Sequence, residues 1–296
     1  MTIDIGRVGI WTSALEAQPA DLARQAAQEL EQMGFPILWI NETTGRDPFV
    51  LATMLLSCTS RLKLATGIAN IYARDALTMA ASQKTLTEAF PGRFVLGLGV
   101  SSPVLVEKVR KHSYGRPLSY MRDYLDEMDA APYHSVPPSE KPVRVLAALG
   151  PKMLQLAASR ADGAHPYLTT PDHTREAREI IGPDVLLAPE QMVVLETDPA
   201  RARAVARASV GFYLRAPGYL ANLRRMGFTD DDWADPKSPS DRLIDSIVAW
   251  GDAGAIARRV QEHHDAGADH VCVQVLTPPR ELPIPQWREL AAALLP

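Results

Sequence analysis

The chain has 296 residues, 46% of them hydrophobic, and a formal charge of −4 without any basic block, so it can bury a large core in one domain or two, and a nucleic-acid surface has no support. No uninterrupted apolar run reaches the length of a membrane span, and the start Met-Thr-Ile-Asp-Ile-Gly-Arg lacks the pattern of a signal peptide; a cytoplasmic location without membrane contact is expected. Cys58 and Cys272 stand far apart in apolar settings, which predicts two buried thiols in place of a disulfide or a metal site.

Taken in order, strand-like and helix-like runs alternate. Arg7 to Trp11 predicts a first strand; after Pro19, Leu22, Ala26, Leu30 and Met33 share one helical face, which Gly34 ends. Ile37 to Asn41 predicts a second strand, running into the polar segment Asn41-Glu42-Thr43-Thr44-Gly45-Arg46. A third strand lies in the run from Leu62 and a fourth in Phe94 to Gly99, and the amphipathic segment between them starts at Asp75, so the three form one βαβ unit of a parallel sheet. Small residues mark the carboxyl ends of these two strands: Gly67 follows Thr66, and Gly97 and Gly99 bracket Leu98. Ligands sit at that end of α/β sheets and barrels, and a flat ligand could lie against such bare backbone.

Two helical runs follow Ser102, broken at Gly115 and Pro117, and Val143 to Ala147 predicts the fifth strand. It leads into Gly150-Pro151-Lys152, with proline at the first position of a helix that Asp162-Gly163 closes. The sixth strand spans Ala164 to Leu168, the seventh lies within Leu186 to Leu195, and the eighth is His270 to Leu276. Eight strands alternating with helices imply a (β/α)₈ TIM barrel, read as a single domain over 1–296, whose functional residues follow the strands. The largest excursion, between the seventh and eighth strands, predicts a helical insertion over 196–268 that covers the mouth as a substrate lid or a subunit contact.

Several chemistries drop out. The chain has no Gly-x-Ser-x-Gly elbow, no phosphate-binding Gly-x-x-x-x-Gly-Lys-Ser/Thr loop and no His-Glu-x-x-His helix, and Gly97-Leu98-Gly99 lacks the third glycine of a dinucleotide fingerprint. Adjacent His263 and His264 point in different directions on a helix and read as solvated or capping groups; Asp230 to Asp232 read as a helix start or a solvated face. Gly150-Pro151-Lys152 is a natural anion site, because the free amides and positive dipole end of a helix meet there, the alternative being a plain cap with an exposed lysine. Glu42 is either a proton donor tuned upward by burial or the carboxylate that orients Arg46 or Arg74, and Arg74 could also pair with Asp75 or Glu88. Trp11 and Trp39 either flank a ring or pack the core, and Glu190 and Gln191 are polar in an apolar strand and require partners.

The runs Leu-Trp-Ile-Asn-Glu (38 to 42), Thr-Gly-Ile-Ala-Asn-Ile-Tyr-Ala-Arg-Asp (66 to 75), Pro-Gly-Arg-Phe-Val-Leu-Gly-Leu-Gly-Val (91 to 100), Gly-Pro-Lys-Met (150 to 153) and Ala-Asp-Gly-Ala (161 to 164) together resemble the luciferase-like monooxygenase family, and within it the branch that uses the deazaflavin coenzyme F420. The resemblance implies a redox ring in the barrel mouth, backed by a bulge in the third strand with a non-prolyl cis peptide that falls here on Gly67-Ile68. Ile68 would face the ring, with Thr66 and Gly67 beside it; Asn41 and Glu42 would lie near its edge or reacting carbon. Gly99 and the backbone of Val100 and Ser101 would approach the coenzyme tail, with the Ser102 hydroxyl nearby, where several relatives carry a carboxylate. Gly150, Pro151 and Lys152 would hold the phosphate, completed by His165, Thr169 and Thr170, and Glu42 or His165 would handle the accompanying proton. The implied activity is hydride transfer between the deazaflavin C5 and a small organic substrate, by a homodimer. The alternatives on this scaffold are an FMN-dependent monooxygenase and a coenzyme-binding protein without turnover.

Overall fold

A computed structural model describes residues 4–278 and 281–295. Among the described residues eleven strands form one all-parallel curled sheet: β1 Val8–Thr12, β2 Ile37–Ile40, β3 Lys63–Thr66, β4 Ala69–Asn70, β5 Phe94–Gly99, β6 Val143–Leu146, β7 Gly163–Ala164, β8 Leu186–Leu187, β9 Glu190–Leu195, β10 Val248–Gly251 and β11 Val271–Val275. Helices connect most of them, as parallel pairing demands. The hydrogen-bonded path runs β10-β9-β11-β1-β2-β3-β5-β6-β7-β8, with β4 added beside β5.

Both ends of that path fall on one stretch of chain, because β8 and β9 are separated only by Ala188 and Pro189. On one edge of this stretch the Ala188 amide donates to the Ala164 carbonyl at 2.9 Å; on the other, the Cys272 amide donates to Pro189 at 2.9 Å. The sheet therefore curls round onto itself. The predicted sixth strand is shorter than expected, because Pro166 interrupts it, yet its pairing persists: the Glu190 amide reaches the Pro166 carbonyl at 2.8 Å.

Alternation along the strands separates two cores. Ile10, Leu38, Ile40, Leu64, Leu96 and Leu146 pack outward under the helices, while Trp11, Ile37, Trp39, Ala65, Val95, Val145 and Cys272 belong to an inner cluster. That inner cluster continues into Tyr167, Leu214, Leu223, Phe228, Trp233 and Leu243, so the segment between β9 and β11 packs onto the interior at the carboxyl end. This segment is not wholly helical as predicted. It carries helices Pro199–Tyr213, Pro217–Arg225 and Asp241–Ile247, then β10, which pairs alongside β9 in parallel from Val248 opposite Met192 to Gly251 opposite Leu195, and the helix Ala253–Asp265.

Local chemistry sets the helix starts. Asp75 caps Ala76–Ala89 by accepting from the Thr78 amide, and Asp47 caps Pro48–Leu56 through the Phe49 and Val50 amides, contacts each worth about 1 kcal/mol. Asp230 to Asp232 begin a short 3₁₀ turn closed by a Thr229–Asp232 capping box. Two expectations fail. Cys58 is only partly buried, and His263 is fully buried, held by Thr174 at 2.8 Å and Gln191 at 3.0 Å.

Candidate active site

The carboxyl ends of β2, β3 and β5 form one side of the mouth. The Gly67–Ile68 peptide is cis. Trp11 donates its indole N–H to the Gly67 carbonyl at 2.9 Å, and a Cβ at Gly67 would lie 2.6 Å from that nitrogen. Each bare position has a protein neighbour in the space. At Gly97 a Cβ would stand 1.9 Å from the Thr66 carbonyl oxygen, and at Gly99 one would stand 2.5 Å from the Ile68 side chain. Hence Gly97 and Gly99 first make room for the β3 bulge, and the bulge carries partly exposed Ile68 into the mouth.

Thr66 departs from its expected role. Its buried hydroxyl donates to the Gly97 carbonyl at 2.7 Å and accepts from the Gly97 amide at 2.8 Å, bridging β3 to β5 where the bulge breaks the ladder. Ser102 is also engaged, accepting from the Leu105 amide at 3.4 Å at the start of the π-helical turn Val104–Val109. Ser101 holds φ at +58° and offers its carbonyl to the Tyr114 hydroxyl at 3.3 Å. Val100 is partly exposed beside it.

Glu42 is saturated with donors. Arg74 forks onto its two oxygens at 2.7 and 2.9 Å, the Asn70 amide donates at 2.7 Å, and Arg110 stands 3.5 Å away. Arg74 extends to Asp47 at 3.0 Å, so it pairs with neither Asp75 nor Glu88. All these bonds run toward the carboxylate, an arrangement that favours Glu42 as the anchor of Arg74 over the proton donor. Next to it, Asn41 Oδ1 is buried without a partner, as is Asn70 Nδ2.

The other side of the mouth is formed by β7, β9 and β11. His165 stacks on Trp39 at 4.5 Å and pairs its Nδ1 with the Ala188 carbonyl at 2.7 Å; burial holds the imidazole down at about 4. It is therefore neutral near pH 7, and its partnerless Nε2 is a bare lone pair near Gly67. A buried neutral ring is no cation for a phosphate, which corrects the expectation that His165 completes the anion cradle. Trp39 is likewise core, fully buried beneath the mouth.

Tyr167 joins the two sides. Its ring lies 5.4 Å from Trp11, and its hydroxyl meets Tyr213 at 2.7 Å and Gln274 at 2.8 Å. Tyr213 and Tyr219 come from the helices Pro199–Tyr213 and Pro217–Arg225, which thus lie across the opening. Among these rings Glu190 is 1% exposed; its Oε2 accepts only the Leu168 amide at 3.4 Å, and its Oε1 has no partner. Burial pushes this carboxyl up to about 8. Thr169 Oγ1 is also buried and partnerless, next to Leu168 at φ +58°.

Gly150 begins the helix Pro151–Arg160, with Lys152 exposed and, among the described residues, without an ion pair. Arg225 reaches this start from the covering helix: its Nη1 donates to the Leu149 carbonyl at 3.3 Å while Nη2 binds Glu176 at 3.0 Å. Thr170 is the cap of Pro171–Ile181 and accepts from the His173 amide, so its hydroxyl belongs to that helix. Among the described residues no group of three or more His, Cys, Asp or Glu could hold a metal ion, and no helix is long and apolar enough to cross a membrane.

Residues 3–270 match the model of the family described as luciferase-like monooxygenase. The chain belongs to the luciferase-like monooxygenase family. A Mycobacterium tuberculosis relative named as a coenzyme F420-dependent oxidoreductase is 25% identical, covering 90% of this chain and 94% of its own length. A 5,10-methylenetetrahydromethanopterin reductase of Archaeoglobus fulgidus is 27% identical over 81% of this chain and 85% of its own. An F420-dependent secondary alcohol dehydrogenase shares the fold of this luciferase-like chain at a TM-score of 0.78, with 15% identity over 97% of this chain and 98% of its own.

Within this family member, Asn70, Tyr213, Tyr219 and Asn222 escaped sequence reasoning. Asn70 sits inside the run 66–75 and looks like strand packing, and the other three lie on covering helices whose docking no local periodicity reports.

Proposed function

We propose that this protein is an F420-dependent oxidoreductase that moves a hydride between the deazaflavin and a small organic substrate in the barrel mouth. One observation supports the reading: buried atoms without partners recur in and just beyond the strands, Asn41 Oδ1 after β2, Asn70 Nδ2 on β4, Thr169 Oγ1 after β7 and Glu190 Oε1 on β9. Burying such atoms unpaired costs about 1–3 kcal/mol each, so the site is built for a polar partner. The acceptor on Asn41 and the donor on Asn70 suit the alternating carbonyl and N–H edge of a flavin-like ring.

The residues fit the coenzyme as follows. Ile68, Gly67, Asn41 and Asn70 would hold the ring, Gly99, Val100 and Ser101 the start of its tail, and the Gly150-Pro151-Lys152 helix start its phosphate, with Thr169 alongside. Bound there, coenzyme F420 supplies two-electron hydride chemistry at its C5 carbon. The chain's own contribution is to orient both reactants, exclude water beneath Tyr167, Tyr213 and Tyr219, and manage a proton. Glu42 fixes Arg74 and with it the wall of the mouth. The segment over 196–268 serves as the cover of a single barrel unit.

The test is anaerobic turnover. Purified protein is mixed with F420 and a panel of secondary alcohols, or with reduced F420 and the matching ketones, while the coenzyme's long-wavelength absorbance is followed. Catalysed loss or recovery of that absorbance is expected; tight binding with no change on any member of the panel would instead favour a coenzyme-binding protein without turnover.

A further inference from the structure

Glu190 differs from the other carboxylates placed at the mouth. Glu42 meets two arginines, whereas among the described residues no cation faces Glu190. Tyr167 on the extension of β7, Tyr213 and Tyr219 on the two covering helices and Cys272 on β11 feel its charge; behind them lie His165 and Gln274. All of these are neutral around pH 7, since burial raises the three phenols and the thiol and keeps His165 unprotonated. A carboxylate would be unsupported in this setting, and a carboxylic acid is not.

The covering helix adds a second observation. Asn222 stands one turn beyond Tyr219 on Pro217–Arg225, is 4% exposed, and has neither its Oδ1 nor its Nδ2 hydrogen bonded. Among the described residues the surroundings of Glu190 are thus closed and uncharged. They suit a neutral oxygen-bearing group and would penalise a carboxylate or an ammonium.

Resting on the F420-linked reading above, we propose that Glu190 is the proton donor of this site, and that the substrate's reacting end is a carbonyl that enters between Glu190 and the covering helix. In the reducing direction the carbonyl carbon takes the hydride from the reduced coenzyme. The carbonyl π pair forms the new O–H bond with the proton of Glu190, whose own O–H bond breaks. The carboxylate left behind regains its proton from solvent, and oxidation of the alcohol runs the same bonds in reverse. Ser102, which caps a turn, and Glu42, which accepts from Arg74, leave this role open.

The experiment follows the protonated-carboxyl stretch by difference infrared spectroscopy in wild type and Glu190→Gln, with and without F420, while coenzyme fluorescence reports binding independently. The proposal expects a protonated-carboxyl band that titrates with a midpoint near 8, is missing in the variant, and moves when F420 binds. With a ketone turned over by the wild type, Glu190→Gln is expected to lower kcat about 100-fold or more while F420 affinity changes less than about threefold, with partial rescue by Glu190→Asp. If F420 binds and the band neither titrates in that range nor responds, Glu190 is a structural carboxyl and the proposal fails while the F420 reading stands. If F420 does not bind at all, both fail. Should Glu190→Gln not fold, the wild-type titration and its response to F420 decide alone.

Discussion

The two sides of the barrel mouth solve opposite problems. At the ends of β2 and β3, Glu42, Arg74, Asp47 and Arg110 form a charged network in which each acid has a base. Across the opening, β7 and β9 leave Thr169 and Glu190 buried, uncharged and short of partners. The first side is a frame, rigid because breaking the Glu42–Arg74 link strands a buried charge; the second pays for openness with unsatisfied polar groups that a ligand can satisfy. Trp11 ties them together, bonded to Gly67 on one side and packed on Tyr167 on the other.

The largest expected effect comes from breaking the frame. Arg74→Met leaves the buried Glu42 carboxylate with the Asn70 amide and the distant Arg110 but no close cation, and should cost about 3–5 kcal/mol in urea unfolding. A loss below about 1 kcal/mol would mean the network is solvated and the contrast between the sides is weaker than drawn. Next comes the bulge. Gly97→Ala places a methyl group against the Thr66 carbonyl and should cost about 3 kcal/mol, read as a lowered melting temperature.

The open side is probed by pH. Glu190 keeps its proton in the folded chain up to about 8 and loses it near 4.5 when unfolded, so its contribution is fully present below 4.5 and falls by about 1.4 kcal/mol per pH unit as pH rises between those values. His165 acts with the opposite sign. Its folded value is about 4 against 6.5, so its contribution is present above 6.5 and lost as pH falls toward 4. Between about 6.5 and 8 only the Glu190 slope remains of the two, and comparing Glu190→Gln with wild type by urea unfolding should remove it. The smallest effect lies at the helix start: Lys152→Ala should weaken F420 binding roughly tenfold, more at low salt, while unfolding shifts by no more than about 0.5 kcal/mol.

How much of this was legible in the sequence differs between the same two sides. The β2–β5 side is local: the strand, bulge and cap of Asp75 all lie within one βαβ unit, and the Gly67–Ile68 linkage falls where family resemblance puts it. Even there, Gly97 makes room for the Thr66 carbonyl and not for a ligand, and a bare position in sequence does not say which of the two fills the space. Thr66 shows the same ambiguity, since a hydroxyl at a strand end can face a ligand or replace a ladder bond. The β7–β9 side depends on contacts between residues far apart in the chain. Glu190 stood out as a polar residue in an apolar strand, but its isolation follows from Tyr213 and Tyr219 arriving on helices that begin after it. Strand β10 was hidden in an apparently helical stretch because Val248 to Gly251 is too short to interrupt the helical pattern around it.

What the mouth accepts decides between the coenzymes. Equilibrium titration of the purified chain with F420 and, separately, with FMN, each followed by ligand fluorescence, tests this directly. Saturable binding of one F420 per chain, at least tenfold tighter than FMN and weakened by Asn41→Ala, is the expected result. Tighter binding of FMN, or no binding of either, would contradict it.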